Sequence, residues 1–392
     1  MFLSKEVSNL AKKKDNAMYK AIKYRIYPNE EQVSQITQTF GCSRFIYNKC
    51  LELEIGLYEA EMGFMSYFEL NNFTNKVFKV DFPFLRDVDK FAINNAIQNL
   101  TIAYKNFFQG NAKFPKFKSK DDSFQSYTTN YTNNNITVNR KTIKLPKLGL
   151  VEASIHRQPF KDSIIKSATV SKDARDNYYV SILFELPETK DKVVKVKPTI
   201  EKTLGIDYSS PHFYVDSENH SVDAPHWYRQ REKRLQKEQR KLSHMIKGSK
   251  NYEKQKLRVS KLHQEVANKR RDFCHKLSRE IANLYDVVCL EDINLQYLSQ
   301  SLRFGKATHD NGFGMFRDFL KYKLEEQGKY YIVIDKWYPS SKTCHKCGTI
   351  NKDLQLGQSK WECPNCKTML NRDHNAAINI KREGFRLLTA NP

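Results

Sequence analysis

The sequence predicts a multidomain α/β protein: a β-barrel or sandwich split by a helical block, then an α/β sheet domain with a small metal ribbon near its C-terminus. Three observations carry this. Short alternating runs separated by Asn, Gly and Pro recur over 124–186, the pattern of evenly spaced strands in a barrel or sandwich. Two apolar runs, Thr203-Leu-Gly-Ile206-Asp207 and Tyr285-Asp-Val-Val-Cys-Leu290-Glu291, each end in a carboxylate, as buried strands that deliver acids to a sheet edge do. Cys344-His-Lys-Cys347 and Cys363-Pro-Asn-Cys366 form two C-x-x-C knuckles joined by fifteen residues. Two thiolates at that spacing can bite one tetrahedral ion, and two such pairs close its shell. Cys344, Cys347, Cys363 and Cys366 therefore predict one structural Zn²⁺.

Along the chain, residues 1–17 are polar, include Lys12-Lys13-Lys14, and read as a disordered basic leader or the product of an upstream start codon. Lys20-Ala-Ile-Lys-Tyr-Arg-Ile-Tyr27 alternates as a half-buried strand, and Pro28-Asn29-Glu30-Glu31 reads as its exit and a helix N-cap. Helical periodicity then runs from Gln32 to about Phe108. Phe114-Pro-Lys116-Phe117-Lys118 mixes aromatic and basic residues, and the turn is expected to face nucleic acid through Lys116 and Lys118. After the alternating runs, Lys190 to Lys197 is a charged linker and marks the main domain boundary.

Beyond the linker, the Asp207 strand is followed by a hairpin strand around Phe213-Tyr-Val215 and Val222. Residues 229–279 are helical and carry 18 Lys/Arg against 5 Asp/Glu, a one-sidedness that suits phosphate more than plain solvation. The Glu291 strand, a helix over 313–327, a strand at Tyr330-Tyr-Ile-Val-Ile334, the ribbon, and a helix over 373–382 complete the chain. Cys42, Cys50, Cys274 and Cys289 lie in apolar or helical surroundings and read as core residues.

Composition selects the partner. Of 392 residues, 66 are Lys or Arg and 44 are Asp or Glu, a net charge of +22, which calls for a polyanion. No apolar run approaches the roughly 20 residues of a membrane-spanning helix, so a soluble, cytoplasmic protein is expected. Three acids fall at comparable places, Asp207 and Glu291 at strand ends and Asp373 at a helix start. Hard divalent cations take oxygen ligands, and two-metal phosphodiester hydrolysis needs converging carboxylates. Such acids beside a zinc ribbon in a basic chain suggest a metal-dependent nuclease.

Gly205-Ile-Asp207, Leu290-Glu291-Asp292-Ile293, Pro339-Ser-Ser-Lys-Thr-Cys344-His-Lys-Cys347-Gly348, Trp361-Glu-Cys363-Pro-Asn-Cys366 and Arg372-Asp373-His-Asn375-Ala-Ala377 resemble the RuvC-like segments and zinc ribbon of TnpB. This is the OrfB-type protein of insertion sequences, related to type V CRISPR nucleases. The likeness extends upstream through Tyr24-Arg-Ile-Tyr-Pro28, Val88-Asp-Lys90-Phe-Ala, Ala103-Tyr-Lys-Asn-Phe-Phe108, Phe114-Pro-Lys-Phe117 and Tyr131-Thr-Asn-Asn-Asn135. It covers nearly the whole chain after Met18.

The resemblance implies a wedge-like β-barrel (18–29 and 119–196), a helical recognition insertion (30–118), and an RNase H-like RuvC domain (197–392) that contains the zinc ribbon (338–370). It implies an RNA-guided DNA endonuclease of a transposon, a monomer with its guide RNA that cuts double-stranded DNA beside a short motif. Asp207, Glu291 and Asp373 are implied as the Mg²⁺-binding catalytic triad, and the region of Tyr67, Lys90 and Asn94 as the motif-reading surface. The chain also departs from the family. The usual Asp-x-Gly is here Asp207-Tyr-Ser-Ser210, and the usual Asp-Arg-Asp is Asn371-Arg-Asp373. A shift of one residue in strand register would make Asp292 the ligand in place of Glu291. The alternative functions are a guided DNA-binding repressor or an accessory transposition protein that binds without cutting.

Overall fold

The computed structural model describes residues 18–120, 122, 124–187, 194–209, 212–294, 312–355 and 357–390. The expected leader, Lys190 to Val193 of the expected linker, and Ser210 therefore lie outside the described residues. The chain divides into two compact units, 1–190 and 191–392.

In the first unit, β1 (Tyr19–Tyr27) leads into α1 (Glu30–Glu59). Asn29 closes a capping box with Gln32: its side chain accepts from the Gln32 N–H, and the Gln32 side chain accepts from the Asn29 N–H. The helical block continues as α2 (Tyr67–Phe73), a π turn and a short 3-10 turn, and α3 (Lys90–Phe108) capped by Asp89. Its core gathers Ile46, Leu51, Leu70, Ile93, Ile97 and Leu100. The chain then adds β2 (Gln125–Asn130), β3 (Thr137–Val138), β4 (Thr142–Leu145), β5 (Gly149–Ser154), β6 (Ile164–Lys172) and β7 (Tyr178–Glu185). The seven strands form one antiparallel sheet in the order β2-β6-β7-β1-β5-β4-β3. The first strand, a strand as its alternation predicts, pairs across the helical insertion with both β5 and β7. Alternate residues such as Ile22, Tyr24, Val151, Val170, Val180 and Ile182 point into a single core.

The second unit holds β8 (Thr203–Asp207), β9 (His212–Asp216), β10 (Ser221–Asp223), α4 (Trp227–Ser243), α5 (Lys250–Leu284), β11 (Val287–Glu291), α6 (Phe313–Glu326) and β12 (Tyr330–Ile334). After the ribbon strands β13 (Lys360–Glu362) and β14 (Met369–Asn371) comes α7 (Arg372–Ala390). The large sheet runs β10-β9-β8-β11-β12, with β8, β11 and β12 mutually parallel and β9 and β10 antiparallel. The basic stretch predicted to be helical is an antiparallel hairpin of α4 and α5 closed by Leu235, Val259 and Leu262. Val196 donates its N–H to the Gly328 carbonyl, so the end of the expected linker is already built into this unit.

Candidate functional site

Parallel pairing decides where the acids meet. Leu290 lies beside Ile206 in the register of β8 and β11, so Asp207 and Glu291, one residue further on, leave the same sheet edge as neighbours. Asp373, in the first turn of α7, completes the group. Burial pushes the Asp207 carboxyl well above the usual carboxylate range, and the charges of Asp373 and then Glu291 push it further, against a smaller pull from Arg372. Burial also raises Glu291 to about 7. Like charges brought together out of water are costly without cations, and carboxylates perturbed in this way mark a candidate functional site.

Two glycines bring α7 to that edge. A Cβ on Gly205 would sit 2.1 Å from the Ala377 carbonyl oxygen and 2.6 Å from the Lys381 nitrogen, so the helix backbone rests directly on β8. Three turns beyond Asp373, a Cβ on Gly384 would meet the Cys289 sulfur of β11 at 2.4 Å. The helix is thereby seated across both acid-bearing strands, with Ala376, Ala377 and Ile380 buried beneath it. Gly205 belongs to the sequence motif. Gly384 carried no signal, lying beyond the helix expected over 373–382, which in the structure runs on to Ala390.

Ser209 is a second residue the sequence did not assign. It stands at the third position of the usual Asp-x-Gly and is 2 % exposed, and its hydroxyl donates to Asp373 Oδ2 at 3.0 Å. Asn371, where the family has an acid, accepts the His374 N–H and so caps the start of α7. Asp292 follows the last residue of β11, and its N–H donates to the Ile334 carbonyl.

The four cysteine sulfurs lie within 4.8 Å of one another. Cys344 and Cys366 are 3.6 Å apart and Cys347 and Cys363 3.5 Å. A tetrahedron with Zn–S of about 2.3 Å places its sulfurs roughly 3.8 Å apart, so the donor set fits zinc. The two knuckles repeat one geometry. Gly348 and Lys367 both take positive φ, and their N–H groups donate to the carbonyls of Cys344 and Cys363. Thr349, through its hydroxyl and N–H, holds the Cys347 thiol down to about 5, whereas burial pushes Cys344 up to about 11. Among the described residues these cysteines are the one group of three or more metal-binding side chains whose ligand atoms already converge. The carboxylate oxygens of Asp207, Glu291 and Asp373 do not form such a group; the acids are neighbours that feel one another's charge.

Ribbon and acids are joined by two asparagines of α7. Asn375, buried, donates to the Ser340, Ser341 and Thr343 carbonyls and accepts from the His345 N–H. Asn379, one turn on, donates to Ser340 and Thr343. The segment entering the first knuckle is therefore tied to the helix that carries Asp373. The sequence showed Asn375 within a motif but not this work.

In the first unit, Lys90 opens α3 and is exposed, with its ammonium 5.0 Å from the Phe91 ring. Asn94, half-buried, follows one turn later on the same face. Tyr67 opens α2 and packs partly against the helical core, edge-on to Phe68. Lys79 also crowds this side, its pKa lowered by burial and then by Arg86 and Lys90. Lys116 is exposed. Lys118 is exposed as well; its ammonium lies 4.0 Å from the Tyr47 ring centroid, and its backbone bonds Asn48. No helix among the described residues is long and apolar enough to cross a membrane.

A family profile described as a probable transposase, OrfB of IS605, matches residues 181–302, and a Cas12f1-like TNB domain matches 313–380. A helix-turn-helix domain of the same OrfB type matches 18–62, a stretch that here folds as β1 and the single helix α1. A Streptomyces pristinaespiralis protein, provisionally named an RNA-guided DNA endonuclease, is 31% identical over 368 residues, 93% of this chain and 89% of that protein. InsQ of Escherichia coli K12, with the same provisional name, is 26% identical over 94% of this chain and 93% of its own. Among solved structures, Cas12f1 in its complex with guide RNA and target DNA covers 94% of this chain and 99% of that one, with TM-score 0.56 at 14% identity. That likeness is one of fold.

Proposed function

The chain belongs to the TnpB family of transposon-encoded proteins, and on that footing we propose that it is an RNA-guided DNA endonuclease that hydrolyses phosphodiester bonds at Asp207, Glu291 and Asp373. The observation that carries this reading is that Asp207 and Glu291 leave one sheet edge as neighbours with Asp373 close by on α7: burial and the charges of Asp373 and Glu291 raise Asp207, and burial raises Glu291 to about 7. The order β10-β9-β8-β11-β12, with its outer pair antiparallel, supports an RNase H-like RuvC domain. The single core shared by all seven strands of the first unit supports a barrel-like wedge around which the helical insertion is set.

Bound Mg²⁺ would supply charge neutralisation of the scissile phosphate and activation of the attacking water. The protein's own part is to hold that charge. Asp207 and Glu291 fix one wall from the rigid β8–β11 pair, and Asp373 approaches from α7 with one oxygen tied by Ser209. Phosphate contacts come from the basic α4–α5 hairpin, and target choice from base pairing to a guide RNA. The region of Tyr67, Lys90 and Asn94 would read the short adjacent DNA motif, with Lys116 contributing to the backbone contacts. The active species is a monomer bound to its RNA.

Purified protein carrying its RNA should cut duplex DNA in Mg²⁺ and follow a changed guide. Asp207→Ala, Glu291→Ala and Asp373→Ala should each abolish cutting while binding is kept, and Asp292→Ala should retain it. Binding without cutting in the parent protein would favour a repressor or accessory role, and sequence-specific cutting by RNA-free protein would overturn the guided reading.

A further inference from the structure

The chain has three tryptophans. Trp361 is buried in the ribbon core, and Trp227 packs edge-on against Phe273. Trp337 is 81 % exposed, an unusual state for the largest apolar side chain. Its place is specific. Glu291 lies beside Ile334 in the register of β11 and β12, and Trp337 follows Ile334 by three residues at the same sheet edge. At 3.8 Å per residue its Cα is at most about 11 Å of chain from that strand end, on the order of three nucleotide steps.

The turn that carries the ring is fixed. The Asp335 side chain accepts the Trp337 N–H at 2.7 Å, and its carbonyl accepts the Tyr338 N–H, an Asx-type turn. Tyr338 packs with Ile334, Ile380 and Leu387 against α7. Just beyond, the Ser340 and Thr343 carbonyls are held by Asn375 and Asn379. Between these anchored flanks, the Trp337 ring has the Lys336 ammonium 5.2 Å from its centroid.

We propose that Trp337 is a stacking platform for an unpaired nucleobase of the DNA strand being cut, with Lys336 meeting the adjacent phosphate. A rigid exposed indole with a cation at its rim has the chemistry of sites that hold single strands without reading sequence. The placement gives it a purpose. Beside the carboxylate edge, a stacked base would hold the strand so that a phosphate one to three nucleotides away enters the acid cluster. This rests on the nuclease reading for its purpose, but the binding it asserts can be measured without cleavage.

The probe is a short mixed-sequence single-stranded oligodeoxynucleotide, alongside an abasic oligomer of equal length, titrated against the full chain at about 150 mM salt and followed by tryptophan emission. The oligonucleotide should quench the parent protein strongly and the Trp337→Phe protein little, and the abasic oligomer should quench neither. By competition, Trp337→Ala should bind the oligonucleotide on the order of 10-fold more weakly, with Trp337→Phe near the parent because a ring remains. All three should bind the abasic oligomer alike. Equal quenching by the abasic oligomer, absence of quenching, or unchanged affinity in Trp337→Ala would overturn the proposal. A blue-shifted emission that grows with protein concentration would also overturn it, since the ring would then be covered by a second copy. Guided cutting without quenching refutes the platform alone, and quenching in a protein that never cuts refutes the nuclease reading alone.

Discussion

Replacing Gly205 by alanine perturbs the acid cluster without touching an acid. The added carbon would lie 2.1 Å from the Ala377 carbonyl oxygen, where ordinary contact begins near 3.4 Å, and both other near atoms also belong to Lys381 of α7. Neither side can yield by a rotamer change alone, because the nearest partners are helix backbone and the strand is central in its sheet. The helix must withdraw by roughly 1.3 Å, a small-to-large strain of about 1–3 kcal/mol. Asp373 rides in the first turn of that helix, one turn from Ala377, so it moves with it. A misplacement of about 1 Å at a reacting centre costs on the order of 10²-fold in rate. Guided cleavage under single-turnover conditions should therefore fall about 10²-fold in Gly205→Ala. Zinc content and nucleic-acid affinity should stay near the parent values, and a thermal melt should show a modest loss. A variant that cuts at the full rate would refute the claim that close seating of α7 on β8 sets the third carboxylate.

Glu291→Gln should stabilise the protein at pH 8 without divalent ions. The parent carboxyl, raised from 4.5 to about 7, binds its proton more tightly folded than unfolded, so stability falls as pH rises through that window and the penalty is complete above it. At about 1.4 kcal/mol per unit, and discounted for residual solvent, the gain is about 2 kcal/mol at pH 8 and vanishes near pH 4.5; equal melting temperatures at pH 8 would contradict it. Cys363→Ser should release zinc and loosen the ribbon, whose buried core is only Cys344, Leu354, Trp361, Cys363 and Leu370. Elemental analysis and proteolysis over 340–370 check this, and zinc-free protein with an intact ribbon would speak against it. Asn379→Ala should cost about 1–3 kcal/mol by removing two hydrogen bonds and leaving the Ser340 and Thr343 carbonyls to Asn375 alone, and lower cleavage while zinc is retained, as melts and metal content measured together would show.

Local chemistry made much of this protein legible in one dimension. The knuckles announce themselves because a tetrahedral ion dictates the C-x-x-C spacing, and Asn29 and the alternation of 20–27 mark a cap and a strand because those rules act over a few residues. Asp207, Glu291 and Asp373 stood out by position, at two strand ends and a helix start. What only the tertiary structure decided is long-range: that β8 and β11 run parallel in a register that makes two of the acids neighbours, that Gly205 and Gly384 let α7 rest on both strands, that Ser209 bonds Asp373, and that Asn375 and Asn379 tie the ribbon to the same helix. A metal shell or a helix cap is specified by residues within a few positions of one another, whereas a close backbone approach or a buried hydrogen bond between distant segments depends on which surfaces the packed sheet and helices bring into contact.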